Sequence, residues 1–551
     1  MAGAQGTEDK PLELPKYTVT SERGLPPPEL WHYARIEGFE ILSSARERAT
    51  RKLAGDFQNF AHAVDLVWPG LRQANGVSAG LIICGQSLQF ETFLPGTARP
   101  REQVTVSYHA EERAAIVLDV QNRLLNRRTE DAASPAPVTE ADAAPAASAN
   151  VGLTVDTYQQ LYREYIRFVL ARQRTPPPPW LAEGVAQLLM NLHLTDTEIS
   201  VGRVEDPAAA DGENASGNAF NAALAKRGLL PIGEMLAAHR EGDTEPSQLD
   251  QIWTKQCYAF VHWGLYGDFG KHQKEFFSFL QRLNREPLTE AMFKECFRQD
   301  YAQMLQSLRI HIESTRFKFA GVRADKGTKI PWPPAVELRD ATQAEVGRLQ
   351  GNALYLAGRP AEARDALLTA YLRGERDPAL LAALGVAEAN GGDVAKARKL
   401  LEAAATAHVV QPRASVELAR LRLAEARAHP ETGERISIRQ TAAVLDPLFI
   451  ARSQPPSLPE VYELVAETWN ASAASPNPGQ LAVLDEGVRL DVRNAPLVYA
   501  DAALKAKIGQ TAEAESLIRL GLRVTTDVGL RAKFESLQAS LPPTVTAAPA
   551  K

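Results

Sequence analysis

The sequence predicts an α+β N-terminal unit followed by an all-α solenoid of helical hairpins. Three observations predict it: strand-like and helix-like apolar runs alternate between residues 39 and about 123, helical periodicity runs from about 157 to about 315, and an internal 34-residue repeat starts near 342. The 551 residues are 45% hydrophobic and 23% charged, which is globular composition and enough length for three or four domains. A formal net charge of -6 lacks the basic excess that a phosphate backbone or an anionic bilayer attracts, so nucleic acid is not an expected partner.

Residues 1–37 are Pro-rich and read as an extended arm, with KYTVT as a short strand and GLPPPELW as a stiff connector. Residues 38–126 read as a small α/β subdomain: FEILSS, GLIICG, VTVSYH and AAIVLDV are strands. Between the first two, Leu53, Phe57, Phe60, Ala61 and Val64 recur at helical spacing until Pro69. Residues 127–151 are rich in Ala, Pro, Ser, Thr and acids without apolar periodicity, and are expected to be a flexible loop; 204–219 reads the same way. Residues 152–320 are expected to be mainly helical, 340–540 to be the repeats, and 541–551 a disordered tail.

In the repeat region Gly351, Ala353, Gly358, Ala363, Leu367 and Ala370 return 34 positions later as Gly385, Ala387, Gly392, Ala397, Leu401 and Ala404. This is similar to the tetratricopeptide repeat, in which small residues sit where paired helices touch and Gly marks the turn. Ala419 continues the register, the loop ARAHPETGERIS lengthens that unit, Ala466 and Trp469 open another, and Ala502, Gly509, Ala514, Ile518 and Gly521 form a further one. The resemblance implies four to six hairpins whose groove takes a protein or peptide segment.

Cys84, Cys257 and Cys296 lie far apart in apolar runs, without CxxC or Cys/His clustering, and are expected to be buried free thiols. No run approaches the ~18 apolar residues of a membrane span, and the opening lacks a basic region followed by an apolar one. The chain therefore reads as soluble and cytoplasmic as written. It reads as periplasmic or secreted if a signal peptide once preceded it.

Chemistry concentrates in residues 157–193, TYQQLYREYIRFVLARQRTPPPPWLAEGVAQLLMNLH. This segment resembles the peptidase MA-like core of the gluzincin metallopeptidases, in which an HExxH helix is followed by a Pro-rich turn and a helix of the form WLxEGxAE. IWTKQCYAFVHWGLYGDFGKHQKEFFSFLQRL and LTEAMFKECFRQDYAQML resemble the region that follows, and LPPPELWHYARIEGFEILSS resembles the lead-in of bacterial proteins that join such a core to tetratricopeptide repeats. In that family two His and a downstream Glu hold Zn²⁺ and the Glu between the His residues is the general base.

Here Arg163, Glu164, Tyr165, Ile166 and Arg167 stand in the first motif, while Trp180, Leu181, Glu183, Gly184 and Ala186 match the second, so Glu183 takes the third-ligand position. Guanidinium has no lone pair to donate and repels a cation, so the resemblance implies an inactivated pseudopeptidase with no catalytic residue, metal or cofactor. Two cations facing two carboxylates predict an Arg/Glu network across the old site, with bidentate pairing.

The helix also reads as an ordinary amphipathic one. Tyr158, Leu161, Tyr162, Tyr165, Phe168 and Val169 form a stripe opposite Gln160, Arg163, Glu164, Arg167 and Arg174. The adjoining WLAEG weighs against that plainer reading for the fold but adds nothing to the chemistry. An alternative is a hydrolase that uses Glu164 and Glu183 with histidines from elsewhere. No two of the ten histidines stand three or four apart, and His193 and His262 are the only ones whose position suggests reach.

Overall fold

The computed structural model describes residues 14–17, 25, 27–71, 79–95, 104–110, 112–121, 157–173, 177–202, 228–237, 248–283, 286–313, 320–454, 458–491 and 493–542. The expected loops at 127–151 and 204–219, most of KYTVT and nearly all of the C-terminal tail lie outside them.

Six strands form one sheet: β1 (His32–Ile36), β2 (Phe39–Ser43), β3 (Ala79–Cys84), β4 (Thr105–Ala110), β5 (Arg113–Asp119) and β9 (Arg339–Asp340), in the order β4-β5-β3-β2-β1-β9. β2, β3 and β5 are parallel neighbours, and β4, β1 and β9 pair antiparallel at the two sides. The expected strands at FEILSS, GLIICG, VTVSYH and AAIVLDV are all present. The expected arm is corrected at its end: residues 32–36 are a sheet strand, because the turn at Gly38 (φ +79°) folds them back onto β2.

Alternation divides the sheet between two layers. Ile41, Leu81, Ile83, Ile116 and Leu118 share a core with Phe57 and Phe60 of α1 (Glu47–Val67) and Tyr165 of α3 (Thr157–Ala171); α2 is the short helix Ser87–Thr92. Leu42, Ile82, Cys84, Ala115 and Val117 point the other way, against Val346, Leu349 and Ala353 of α10 (Gln343–Leu356). Burial on both faces is why GLIICG reads as an unbroken apolar run. It also carries the packing across residue 340, since the first repeat helix is the second cover of the sheet.

Helices α4 (Pro179–Leu189), α5 (Ile232–Ala237), α6 (Gln248–Tyr266), α7 (Gln273–Leu283), α8 (Glu290–Phe297) and α9 (Tyr301–Glu313) fill the expected helical region. It also contains strands the sequence reading missed: β6 (His193–Leu194) and β7 (Glu198–Val201) join β8 (Ala320–Arg323) in a second sheet of order β6-β7-β8. Two or four residues show too little alternation to reveal a strand locally. Of the cysteines, Cys84 and Cys257 are buried as expected, whereas Cys296 is half-buried.

From 343 onward the described residues form an all-α solenoid. Its helices are α10 with α11 (Pro360–Leu372), α12 (Pro378–Asn390) with α13 (Val394–Thr406), α14 (Pro412–Ala428) with α15 (Ile438–Arg452), α16 (Pro459–Ala471) with α17 (Pro478–Leu490), α18 (Ala495–Lys507) with α19 (Thr511–Val524), and a final α20 (Val528–Ser540). The 34-residue period has a direct cause. A Cβ on Gly351 would lie 2.8 Å from Leu367 Cγ, and one on Gly385 would lie 2.8 Å from Leu401 Cγ, so each hairpin closes on a glycine. Gly358 and Gly392 have φ of +77° and +88° at the turns that follow, a conformation that penalises other residues.

A buried charge cluster ties α17 to α18. Lys505 pairs with Asp485 and, at 3.2 Å, with Asp501, whose Oδ1 has no hydrogen-bond partner among the described residues. Burial raises the Asp501 carboxyl to about 6; Lys505 opposes that shift and Asp485 adds to it. An acid raised on folding keeps a proton that the unfolded chain has lost, so from about pH 4 to 6 its contribution to stability falls as pH rises. Asp501→Asn imitates the protonated form at every pH. The variant is therefore expected to gain stability relative to wild type between pH 4 and 7, and an unchanging difference in melting temperature over that range would contradict the assignment.

Candidate functional site

The apolar side of α3 is fixed first. Tyr165 meets Phe57 edge-on at 5.2 Å between centroids, and Tyr162 stacks on Phe60 at 3.8 Å. Leu161 and Tyr165 are fully buried, as the stripe predicts, and Ile166, which the stripe does not include, is buried with them. The opposite side is covered in part: Glu164 is buried, as is Glu183 of α4, while Arg167 stays exposed. An ordinary surface helix leaves its polar face in water, and this one turns Glu164 towards β4 and Arg163 towards α4.

α4 starts at Pro179 after the proline run, where a missing N–H costs nothing. Trp180 anchors it against Phe260 at 5.5 Å, and Gly184 lets it lie almost on the backbone of α6, since a Cβ there would be 2.7 Å from the Cys257 carbonyl oxygen. Glu183 is thereby aimed at α3.

Arg163 grips Glu183 with a two-pronged pair, Nε to Oε1 and Nη2 to Oε2, both 2.8 Å. Glu164 accepts from Arg167 Nη1 at 3.0 Å and from Arg163 Nη1 at 3.4 Å, and Arg167 Nε lies 3.9 Å from Glu183 Oε2. All four residues singled out in the sequence thus meet in one network. The carboxylates are enclosed, with side-chain exposures of 10% for Glu164 and 4% for Glu183, while Arg163 and Arg167 are 27% and 44% exposed and form its outer edge. Burial alone would raise both carboxyls, but Arg163 and Arg167 outweigh it and hold each below the ordinary glutamate value.

Three further members escaped the sequence reading. Ser107 Oγ on β4 donates to Glu164 Oε2 at 2.6 Å, Gln187 Nε2 donates to Glu183 Oε1 at 3.0 Å, and Lys255 Nζ reaches Gln187 Oε1 at 3.0 Å. Gln187 was findable as the residue one helical turn after Glu183. Ser107 and Lys255 carry no local signal, because strand pairing and helix crossing bring them in.

The histidines serve elsewhere. His193 is exposed on β6. His262 is buried, with Nε2 donating to the Gly202 carbonyl at 2.9 Å and Nδ1 3.0 Å from His311 Nε2. Burial lowers these two imidazoles to about 4 and about 3, so both are neutral at physiological pH. The zinc that gluzincins hold at these positions does not fit the donor set. Both Glu183 oxygens are held by one guanidinium, and the two positions that need neutral nitrogen donors carry cations. Among the described residues no group of three or more His, Cys, Asp or Glu could hold a metal ion.

A second feature is a cleft of about 390 Å³ between the sheet and the start of the solenoid, walled by Glu112, Arg35, Asn352, Tyr355, Asn390 and Val410 among others. Glu112 is buried at the β4–β5 turn, with Oε1 3.5 Å from Arg113 and 3.6 Å from Arg413. Its Oε2 has no hydrogen-bond partner among the described residues, and burial raises its pKa. No helix of the described residues is long and apolar enough to cross a membrane.

No protein-family model matches the chain, and no curated protein matches it. Solved structures are similar to it at low overall scores. One is a thermophilic TPR protein of Thermus thermophilus, at 18% identity over 36% of this chain and 99% of that one, TM-score 0.26. Another is a MamA double mutant, at 18% identity over 33% and 95%, TM-score 0.25. A third is the Cut9-Hcn1 hetero-tetramer of the APC/C, at 10% identity over 53% and 51%, TM-score 0.27. The helical-hairpin solenoid is established by its own geometry, and the gluzincin likeness of the N-terminal unit rests on the sequence motifs alone.

Proposed function

We propose that this is a non-catalytic protein-binding or scaffolding protein, an inactivated metallopeptidase-like core joined to a tetratricopeptide-like array. The observation that carries the first half is the two-pronged Arg163–Glu183 pair. It occupies both oxygens of the carboxylate that a gluzincin would offer to its metal, and it puts a permanent positive charge where a nitrogen donor would be needed. The hydrolase alternative needs Glu164 as a free base. Instead it accepts from Ser107, Arg163 and Arg167 and is held below the ordinary glutamate value, which suits an ion-pair partner better than a proton acceptor.

What supports the second half is the cleft. A polypeptide main chain alternates donors and acceptors, and the side-chain amides of Asn352 and Asn390 offer both, beside the Glu112 oxygen that has no hydrogen-bond partner among the described residues. An extended segment of a partner protein is the ligand that such a wall suits.

Metal content decides between the two classes without knowledge of a substrate. After incubation with Zn²⁺ and dialysis, elemental analysis is expected to find far less than one ion per chain, and peptide hydrolysis is expected to be absent in wild type and Glu164→Gln alike. One tightly held ion per chain, with hydrolysis lost in Glu164→Gln, would establish the hydrolase instead.

A further inference from the structure

Residues 14–17, Leu-Pro-Lys-Tyr, lie against the first two hairpins of the solenoid, more than 350 positions along the chain. The Tyr17 hydroxyl donates to Glu388 Oε1 at 3.0 Å. Glu388 is a buried carboxylate, 1% exposed, whose other close partner is Arg364 Nη2 at 2.8 Å. The Tyr371 hydroxyl donates to the Pro15 carbonyl at 2.8 Å, and the Tyr17 and Tyr371 rings meet edge to face at 5.4 Å. Lys396 Nζ stands 4.7 Å above the Tyr17 ring, and Leu14 packs beside it on the apolar cluster of α11 to α13. Pro15 is buried.

We propose that this notch is a recognition site for a proline-x-tyrosine segment, that the chain's own residues 14–17 are its resident occupant, and that it takes the same kind of segment from a partner once they leave. Four residues of contact would be ornamental if the arm were merely resting on the surface. Here a main-chain carbonyl, a phenol and a ring face each meet a matched group, and the phenol completes the coordination of a carboxylate that is otherwise closed off from water. Burial and the neighbouring Glu388 both raise the phenol's pKa, which keeps it a neutral donor. The groups that hold the segment, Glu388, Arg364, Tyr371 and Lys396, do not wall the cleft between the sheet and the solenoid, so either site can fail while the other stands.

Tethering explains how so small a contact persists. A covalently attached segment acts at an effective concentration on the order of millimolar, so modest intrinsic affinity suffices, and a free segment competes poorly until the arm is released. The notch is therefore latched shut in the resting chain.

The test uses the acetylated, amidated, fluorescein-labelled peptide of residues 11–20, PLELPKYTVT, and fluorescence anisotropy. The full chain carrying Pro15→Gly and Tyr17→Ala is expected to bind it at least about ten-fold more tightly than wild type does. A peptide with Phe at the tyrosine should bind that variant about ten-fold more weakly, the loss expected for one hydrogen bond to a charged group. Adding Glu388→Gln should shrink the difference between the two peptides. The isosteric full-chain variant Tyr17→Phe, which leaves packing intact, should bind the peptide to an intermediate degree, and Asn352→Ala in the cleft should not matter. Equal binding by wild type and the released variant, no binding by the released or Tyr17→Phe chains, or a peptide that loses affinity on Asn352→Ala would overturn the proposal.

Discussion

Replacing Arg163 by methionine is expected to destabilise the fold by about 3 kcal/mol at pH 7.5, the lower end of the range for stranding one member of a buried ion pair. The lower end applies because Arg163 is partly exposed and water can enter as its guanidinium leaves. The loss comes chiefly from Glu183, which is enclosed and, among the described residues, would keep Gln187 and the more distant Arg167. Two consequences separate this cause from a packing defect. The stranded carboxyl can recover neutrality by taking a proton, so the penalty should be smaller at pH 4.5 than at pH 7.5. Replacing both partners, Arg163→Met with Glu183→Met, should restore much of the stability, because a closed apolar contact needs no counter-charge. Denaturant unfolding of the single and double variants at both pH values measures all three effects. A single variant within about 0.5 kcal/mol of wild type would mean that the network is not buried in solution.

Gly184→Ala is the second large effect, and its cause is steric. A Cβ at this position would lie 2.4 Å from Val261 Cγ2 and 2.7 Å from the Cys257 carbonyl oxygen, and a carbonyl inside a helix cannot turn aside as a side-chain end can. α4 must move away from α6, dragging Glu183 off Arg163, so a loss of about 3 kcal/mol is expected, at the upper end for overpacking. Gly55 in α1 supplies the control: a Cβ there meets nothing within 4 Å, so Gly55→Ala should stabilise by roughly 0.5–1 kcal/mol through helix propensity. Melting temperatures that moved in the same direction for both substitutions would refute the close-approach explanation.

The glycine in WLAEG connects these two predictions. As a sequence letter it belongs to a motif, and in the fold it sets the separation of two helices on which the charge network depends. Gly351 and Gly385 teach the same lesson in the solenoid, where each receives a leucine from the second helix of its hairpin. That is why the repeat could be read as a spacing before any helix was seen.

Wherever a requirement is local, the sequence alone determined the outcome: the strands at 39–43, 79–84, 105–110 and 113–119, the helix ended by Pro69, the 34-residue hairpin period, and the placing of Arg163, Glu164 and Arg167 on one helical face with Glu183 a proline turn away. Periodicity, turn residues and side-chain charge are all properties of neighbouring residues. Tertiary structure decided everything that joins distant segments. It paired His32 and Tyr33 of β1 with Asp340 and Arg339 of β9, laid the first repeat helix over the sheet's second face, delivered Ser107 and Lys255 to the charge network, and brought Tyr17 to Glu388. These contacts depend on which buried faces remain uncovered once the local elements have formed, and burial of a shared apolar surface is a property of the whole packed chain rather than of any window within it.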